Sequence, residues 1–348
     1  MNKRTPFLSA LIVSSMILVL AGCGSAAKND SAEPASATAP AKEKLKIETS
    51  FYPMYEFTRQ VAGDLADVHL LVPAGTEPHD WEPTPKDMAA IEQADMLVYN
   101  GAGLESWVDQ VVSGSDSKGM TAVEASKGLE LIPGTEEEED HDHDHDAAEG
   151  DAHADEAEAG QGEEHAHEHE HDHGAFDPHV WLSPKLAIGE VRTIEAALSA
   201  KAPEHKAQFE KNAAAYIAKL QQLDEQYTKE LSDTKRKDFI TQHAAFGYLA
   251  HTYGLTQVPI AGLSPEQEPS AQAMAEVVKF AQAHQVKTIF FETLVSSSVA
   301  DTIAKEVGAK SAVLNPIEGL TAEDEANHLD YLQIMQSNLT ALVKALNE

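Results

Sequence analysis

Histidine is unevenly spread along this chain of 348 residues: nine of its seventeen lie between Glu136 and His173, among eighteen acidic residues. The tract runs EEEEDHDHDHD and later EEHAHEHEHDH, and no Lys or Arg falls between Lys127 and Lys185. Imidazole nitrogens alternating with carboxylates offer borderline and hard donors to divalent cations such as Zn²⁺. His141, His143, His145, His165, His167, His169, His171 and His173 are therefore expected to form weak, multivalent metal contacts. With so little apolar surface to bury, residues 136–174 are expected to stay a solvated loop. An affinity tag would normally be terminal and free of interleaved acids.

Three isolated histidines carry a sharper signal. His79 follows an apolar run ending near Pro73, in GTEPHDWEP; His179 stands in DPHVWLSP; His243 follows the run Asp238 to Gln242, in TQHAAF. A lone histidine is usually a hydrogen-bonded structural residue. Three at the ends of strands, where open α/β sheets place their ligands, read better as one metal site. Candidate carboxylates are Glu318 in LNPIEGL and Glu292 after Phe290-Phe291, and Glu77 and Asp80 flank His79. The residues alone do not choose between Glu292 and Glu318. Three imidazoles and one carboxylate would close a four-coordinate zinc site suited to binding. A zinc hydrolase would instead keep water in the fourth position, and no HExxH helix is present to build one.

Positioning these side chains requires alternating strands and helices. Leu45 to Phe51, Val68 to Pro73 and Met96 to Asn100 read as strands, separated by helices Met54 to Ala62 and Pro85 to Gln93, the second with Thr84 as N-cap. A second set follows: strands Phe239 to Gln242, Gln257 to Ile260, Thr288 to Glu292 and Ala312 to Leu314. Its helices are Phe246 to Tyr253, Ala271 to His284, Val299 to Val307 and Glu323 to Leu346. This alternation predicts βαβ units and mostly parallel sheets in two α/β lobes. Between them, Phe209, Tyr216, Leu220, Leu223, Tyr227 and Leu231 form one apolar stripe on a helix from Pro203 to Ser232, about 45 Å long. The mix of aromatics and leucine argues against a coiled-coil arm. The expected divisions are a first lobe over 45–183, a helical link over 184–236 and a second lobe over 237–348.

The amino terminus reads as export machinery. Lys3 and Arg4 precede the apolar run Phe7 to Leu20, fourteen residues against the roughly 20 that span a bilayer. It ends in Leu20-Ala21-Gly22-Cys23, which looks like a bacterial lipobox, making 1–22 a signal peptide and Cys23 the lipidated residue. Residues 23–44, rich in Ala, Ser and Pro, would then be a flexible tether of about 25 Å reach. Cys23 is the single cysteine, so neither an intrachain disulfide nor a thiolate zinc cluster can form. The net charge of −33, eighteen of it from the His-rich tract, repels phosphate backbones and makes nucleic acid a poor partner.

Taken with FYP, NGAGLESW, GLSPEQEPS and LNPIEGLT, the histidine motifs resemble those of the zinc-binding lipoproteins of cluster A-I that serve ABC importers, relatives of the adhesin-type manganese-binding proteins. The resemblance spans nearly the whole chain after the tether. It implies an α/β fold of two (β/α)₄ lobes joined by one long rigid helix, with metal in the cleft. The ligands it implies are His79, His179, His243 and Glu318, with Glu292 as the secondary candidate. A histidine at 243, where manganese relatives carry a carboxylate, favours zinc. The implied role is capture of Zn²⁺ outside the cytoplasm and delivery to a membrane permease, by a monomer held through the lipid on Cys23. Some relatives carry a disulfide in the second lobe, which this chain cannot form. A surface metal-storage or adhesin lipoprotein is the alternative, and a secreted zinc hydrolase a more distant one.

Overall fold

The computed structural model describes residues 44–113, 119–134 and 176–348. The signal segment, Cys23, the tether up to residue 43 and the His-rich tract lie outside these residues. In chain order the first half contains β1 (Leu45–Thr49), α1 (Tyr52–Ala62), β2 (Ala66–Leu70), α2 (Pro85–Gln93), β3 (Met96–Tyr99), α3 (Val108–Ser113) and β4 (Thr121–Glu124). Two long helices follow, α4 (Pro184–Lys201) and α5 (Lys206–Ser232). The second half contains β5 (Asp238–Thr241), α6 (Gly247–Tyr253), β6 (Thr256–Pro259), α7 (Ala271–Ala283), β7 (Thr288–Phe291), α8 (Ser298–Val307), β8 (Lys310–Val313), α9 (Ala322–Ala326) and α10 (Tyr331–Leu346).

Each half builds one parallel four-stranded sheet, with the orders β2-β1-β3-β4 and β6-β5-β7-β8. The two orders are the same topology used twice. In the first sheet Ile47 pairs with Val68 on one side and Met96 on the other; in the second Phe290 pairs with Ala312. Central strands of such sheets are covered on both faces, which explains why Met96, Leu97 and Val98 are consecutive apolar residues, all buried. In both sheets the chain reverses its direction of crossover between the first and third strands, the switch point where open α/β sheets bind ligands at strand C-termini.

Local chemistry sets the helix starts. Thr84 and Asp87 form a reciprocal capping box with Pro85 in the first turn, fixing the start of α2 as the sequence indicates. The expected single helix from Glu323 to Leu346 is instead two. Thr321 and Asp324 cap α9, His328 adopts a left-handed backbone at φ 54°, and Asp330 with Gln333 starts α10 afresh. A helix cannot run through a left-handed residue, and the second capping box supplies the competing start. The expected long helix begins as a 3₁₀ turn over Pro203–His205 and becomes α-helical at Lys206.

Helix α5 is about 40 Å long and ties the halves together. Its stripe of Phe209, Ala213, Tyr216, Leu220, Leu223, Tyr227 and Leu231 is buried throughout. It packs on α1 of the first half and on α6 and α10 of the second. Side-chain hydrogen bonds pin both ends: Asn212 Nδ2 donates to Val61 O at 2.9 Å, and Tyr227 Oη donates to Met335 O at 2.7 Å. One apolar cluster runs from Ile47 and Phe57 through Tyr216 and Leu220 to Phe239 and Leu342. Truncating a leucine as buried as Leu220 to alanine costs about 3 kcal/mol, so the strut is part of the core. Among the described residues no helix is long and apolar enough to cross a membrane.

Candidate metal centre

His79, His179, His243 and Glu318 meet at one point, although 239 positions separate the first from the last. His79 comes from the loop between β2 and α2, and His179 from the segment leading into α4. His243 follows β5, and Glu318 lies in the loop between β8 and α9. His179 and His243 are fully buried, Glu318 nearly so, and His79 keeps a one-tenth exposed side chain.

The spacing is that of a coordination shell. Glu318 Oε1 lies 3.3 Å from the Nε2 atoms of His79, His179 and His243. His179 Nε2 lies 3.3 Å from the Nε2 of both His79 and His243. A tetrahedron of that edge has its centre about 2.0 Å from each vertex, which is the Zn–N and Zn–O bond length. Four electron-rich atoms at this distance repel one another unless a positive charge, either protons or a metal dication, is shared among them.

The imidazoles are aimed by carboxylates behind them. Asp177 Oδ1 accepts from both the backbone N–H of His179, at 2.9 Å, and its Nδ1, at 2.8 Å. Glu292 Oε1 accepts from the backbone N–H of His243, at 3.0 Å, and its Nδ1, at 2.5 Å. A carboxylate only accepts, so each Nδ1 carries a hydrogen and Nε2 is the atom turned to the centre, free to ligate once the ring is neutral. Glu292, the secondary candidate, thus stands on the far side of His243 from the four clustered donors. For His79, both Glu77 oxygens accept its backbone N–H at 3.0 Å.

The acid–Pro–His spelling therefore occurs twice, as Glu77-Pro78-His79 and Asp177-Pro178-His179, each acid holding the histidine backbone two residues on. That repeat is a readable signal for Asp177, to which the sequence motifs above assign no role. Gly247 was not readable. A Cβ there would lie 2.4 Å from Asp177 Oδ2, so the start of α6 approaches the carboxylate as closely as it does only without a side chain. Tyr248 completes the support, donating to Asp177 O at 2.7 Å and accepting from Ile132 N–H at 3.0 Å.

Electrostatics follow from burial and these pairs. Burial opposes a charge on His243, but the carboxylates of Glu292 and Glu318 outweigh it and push the imidazole up to about 10. At His179 burial acts the same way, and Asp177 and Glu318 again raise the ring above its ordinary value. At His79 burial wins and the ring is lowered. Burial would raise Glu318, but the charge on His243 and hydrogen bonds from the three imidazoles hold it well below the usual carboxylate range. Glu77 is pushed up to about 7, by burial first and then by Glu318. The centre thus keeps its fourth donor ionised and must shed imidazole protons to take a metal. Cys23 and the tract histidines, from His141 to His173, lie outside the described residues.

A two-lobed α/β protein with a preformed, zinc-sized donor set in its cleft is by class a metal-binding receptor. The sequence matches the model of the ZnuA family, zinc-uptake complex component A, periplasmic, over residues 47–345, and the chain belongs to that family. It is 47% identical to the high-affinity zinc uptake system protein ZnuA of Bacillus subtilis (strain 168), over 96% of each chain. It is 45% identical to the zinc-binding lipoprotein AdcA of Streptococcus pneumoniae, over 98% of this chain but 61% of that protein's length. The crystal structure of the Zn(II)-bound ZnuA-like domain of that AdcA superposes with a TM-score of 0.70 at 43% identity, covering 88% of this chain and all of that one. The family is one of transport components and not of enzymes.

Proposed function

We propose that this chain is the extracytoplasmic zinc-capturing component of an ABC importer. It takes Zn²⁺ on His79, His179, His243 and Glu318 and hands it to a membrane permease. The observation that carries the assignment is the 3.3 Å separation found in five of the six pairs of donor atoms, the edge of a zinc-sized tetrahedron. Zinc is cargo here. Three neutral imidazoles and one carboxylate leave the loaded site with a net positive charge, which the acidic body around it offsets. Intrinsic affinity would favour Cu²⁺, so fixed geometry and metal supply set the selectivity.

The remaining parts of the reading are an export signal over 1–22, a lipid on Cys23 and a tether over 23–44 that keeps a monomeric body near the membrane. The His-rich tract over 136–174 acts as a weak zinc collector that ends a few residues before His179. A chain that must order itself around each ion binds more weakly than a preformed cleft, so the tract fills after the cleft.

Calorimetric titration of the mature protein and of a variant lacking residues 136–174 tests this. The intact protein should show one tight equivalent and several weak ones, the variant one tight equivalent alone. Cells relying on the variant should import zinc slowly chiefly when zinc is scarce. Loss of the tight equivalent on deletion would place cleft ligands in the tract and overturn the assignment.

A further inference from the structure

Glu318 follows a residue in an unusual conformation. Ile317 is β-branched and fully buried, yet its backbone is left-handed at φ 57°, a region that β-branched residues avoid. Such strain persists only where the surroundings over-determine it. Here they hold one peptide plane, that between Pro316 and Ile317, at both of its ends. The Ile317 N–H donates to Asn315 Oδ1 at 2.8 Å. The Pro316 carbonyl accepts from Trp181 Nε1 at 2.7 Å.

The two anchors differ in origin. Asn315 belongs to the second half, where Asn338 of α10 brackets it, accepting from Asn315 N–H at 2.9 Å and donating to Asn315 O at 2.7 Å. Trp181 comes from the segment before α4, in the turn two residues after His179, with its indole 5.2 Å from the His179 ring and 4.7 Å from Phe51. Its own carbonyl accepts from Tyr331 Oη at 2.5 Å. A flip of the Pro316–Ile317 peptide is the short route by which Ile317 returns to negative φ. That flip turns the carbonyl away from Trp181 and the N–H away from Asn315, and whatever rotation ψ of Pro316 does not compensate is carried on into the residue that follows, Glu318.

We propose that Trp181 is a positioning residue for the fourth ligand: its indole N–H locks the Pro316–Ile317 peptide, holds Ile317 left-handed and so keeps Glu318 among the three imidazoles. The inference rests on the reading of Glu318 as a zinc ligand. It makes zinc retention depend on contact between the His179 turn and the loop before α9, because the lock comes from one and the strained residue from the other.

A double-mutant cycle on the full mature protein, read by zinc dissociation rate, tests it. Trp181→Phe keeps a ring but removes the donor, and should speed dissociation roughly tenfold. Ile317→Gly accepts the left-handed conformation without strain. In that background Trp181→Phe should matter little, within about threefold. A cost that is equal in the two backgrounds, or absent in wild type, overturns the proposal, since Trp181 would then act by packing alone. If Trp181→Phe does not fold, Tyr331→Phe, which frees the Trp181 carbonyl, runs the same cycle with an expected effect of about threefold in wild type and none beside glycine. Thermal unfolding should register the lost packing equally in both backgrounds and cannot mimic the coupling. Glu318→Ala separates the two readings. Unchanged dissociation there overturns the ligand assignment itself, whereas a large effect with an additive cycle overturns the Trp181 lock alone.

Discussion

His179 and His243 are held in the same way by different parts of the chain. In each case one carboxylate oxygen accepts from both the backbone N–H and Nδ1 of the histidine. For His179 the carboxylate is Asp177, two residues earlier; for His243 it is Glu292, forty-nine residues later at the end of the neighbouring strand β7. The first support is written into a turn, and the second exists only once β5 and β7 lie side by side. A metal centre of this kind requires a bracketed imidazole more than it requires any particular motif, and a parallel sheet can supply the bracket from the next strand.

Removing either imidazole should abolish the distinction. His179→Ala and His243→Ala, like His79→Ala, should each weaken zinc by well over about 100-fold, since loss of an outer-shell partner alone costs roughly 10- to 100-fold. Glu318→Ala should fall in the same class. Competition against a chelator of known affinity measures this, and three histidine variants that bind like wild type would remove the site from the cleft.

The brackets come next in size. Glu292→Gln and Asp177→Asn keep an acceptor but lose the charge, and each should weaken zinc roughly tenfold, with Glu292→Gln the larger because its contact is the shorter, 2.5 against 2.8 Å. The reverse order would show that the local bracket outweighs the tertiary one. Gly247→Ala probes the Asp177 side alone. Its methyl would meet Asp177 Oδ2 at 2.4 Å, so it should displace the bracket and cost a few-fold to about tenfold, leaving the His243 side unaffected.

The smallest effect is also a matter of sign. His243 is raised to about 10, so below that pH zinc must expel its proton, and apparent affinity should climb as pH rises from 6 to 9. Glu292 strengthens His243 toward protons as well as toward metal. The penalty of Glu292→Gln should therefore be least at pH 6 and greatest near 9. Calorimetry in buffers of different ionisation enthalpy should show fewer protons released by Glu292→Gln than by wild type, and equal release would contradict the coupling.

The same contrast between local and distant determinants decides what could be read from the sequence. The start of α2 is legible because Thr84, Pro85 and Asp87 specify it within four residues, and the α5 stripe because it repeats over about six turns. Strand β4, Thr121–Glu124, lacks the continuous apolar run that marks Met96–Tyr99, and the six residues of helix α3 are too few for a helical period to register, so neither is expected from the sequence. The break between α9 and α10 depends on the left-handed His328, which no composition rule marks. At the centre, strand-end position fits His79 and His243, which lie in segments following β2 and β5, whereas His179 stands in the turn before α4 with no named strand leading into it among the described residues and is marked by its DPH motif alone. Glu292 and Glu318 were indistinguishable as isolated carboxylates, and the LNPIEGL resemblance made the choice. What separates them physically is that Glu292 reaches Nδ1 of His243 and Glu318 reaches Nε2, a difference of face that only the folded chain defines.

The most direct test of the account is anomalous-scattering crystallography of the mature protein loaded with one equivalent of zinc. One strong peak is expected about 2.0 Å from the Nε2 atoms of His79, His179 and His243 and from Glu318 Oε1, with Glu292 still on Nδ1 of His243. A peak bound through Glu292, or one equivalent held outside the cleft, would contradict it.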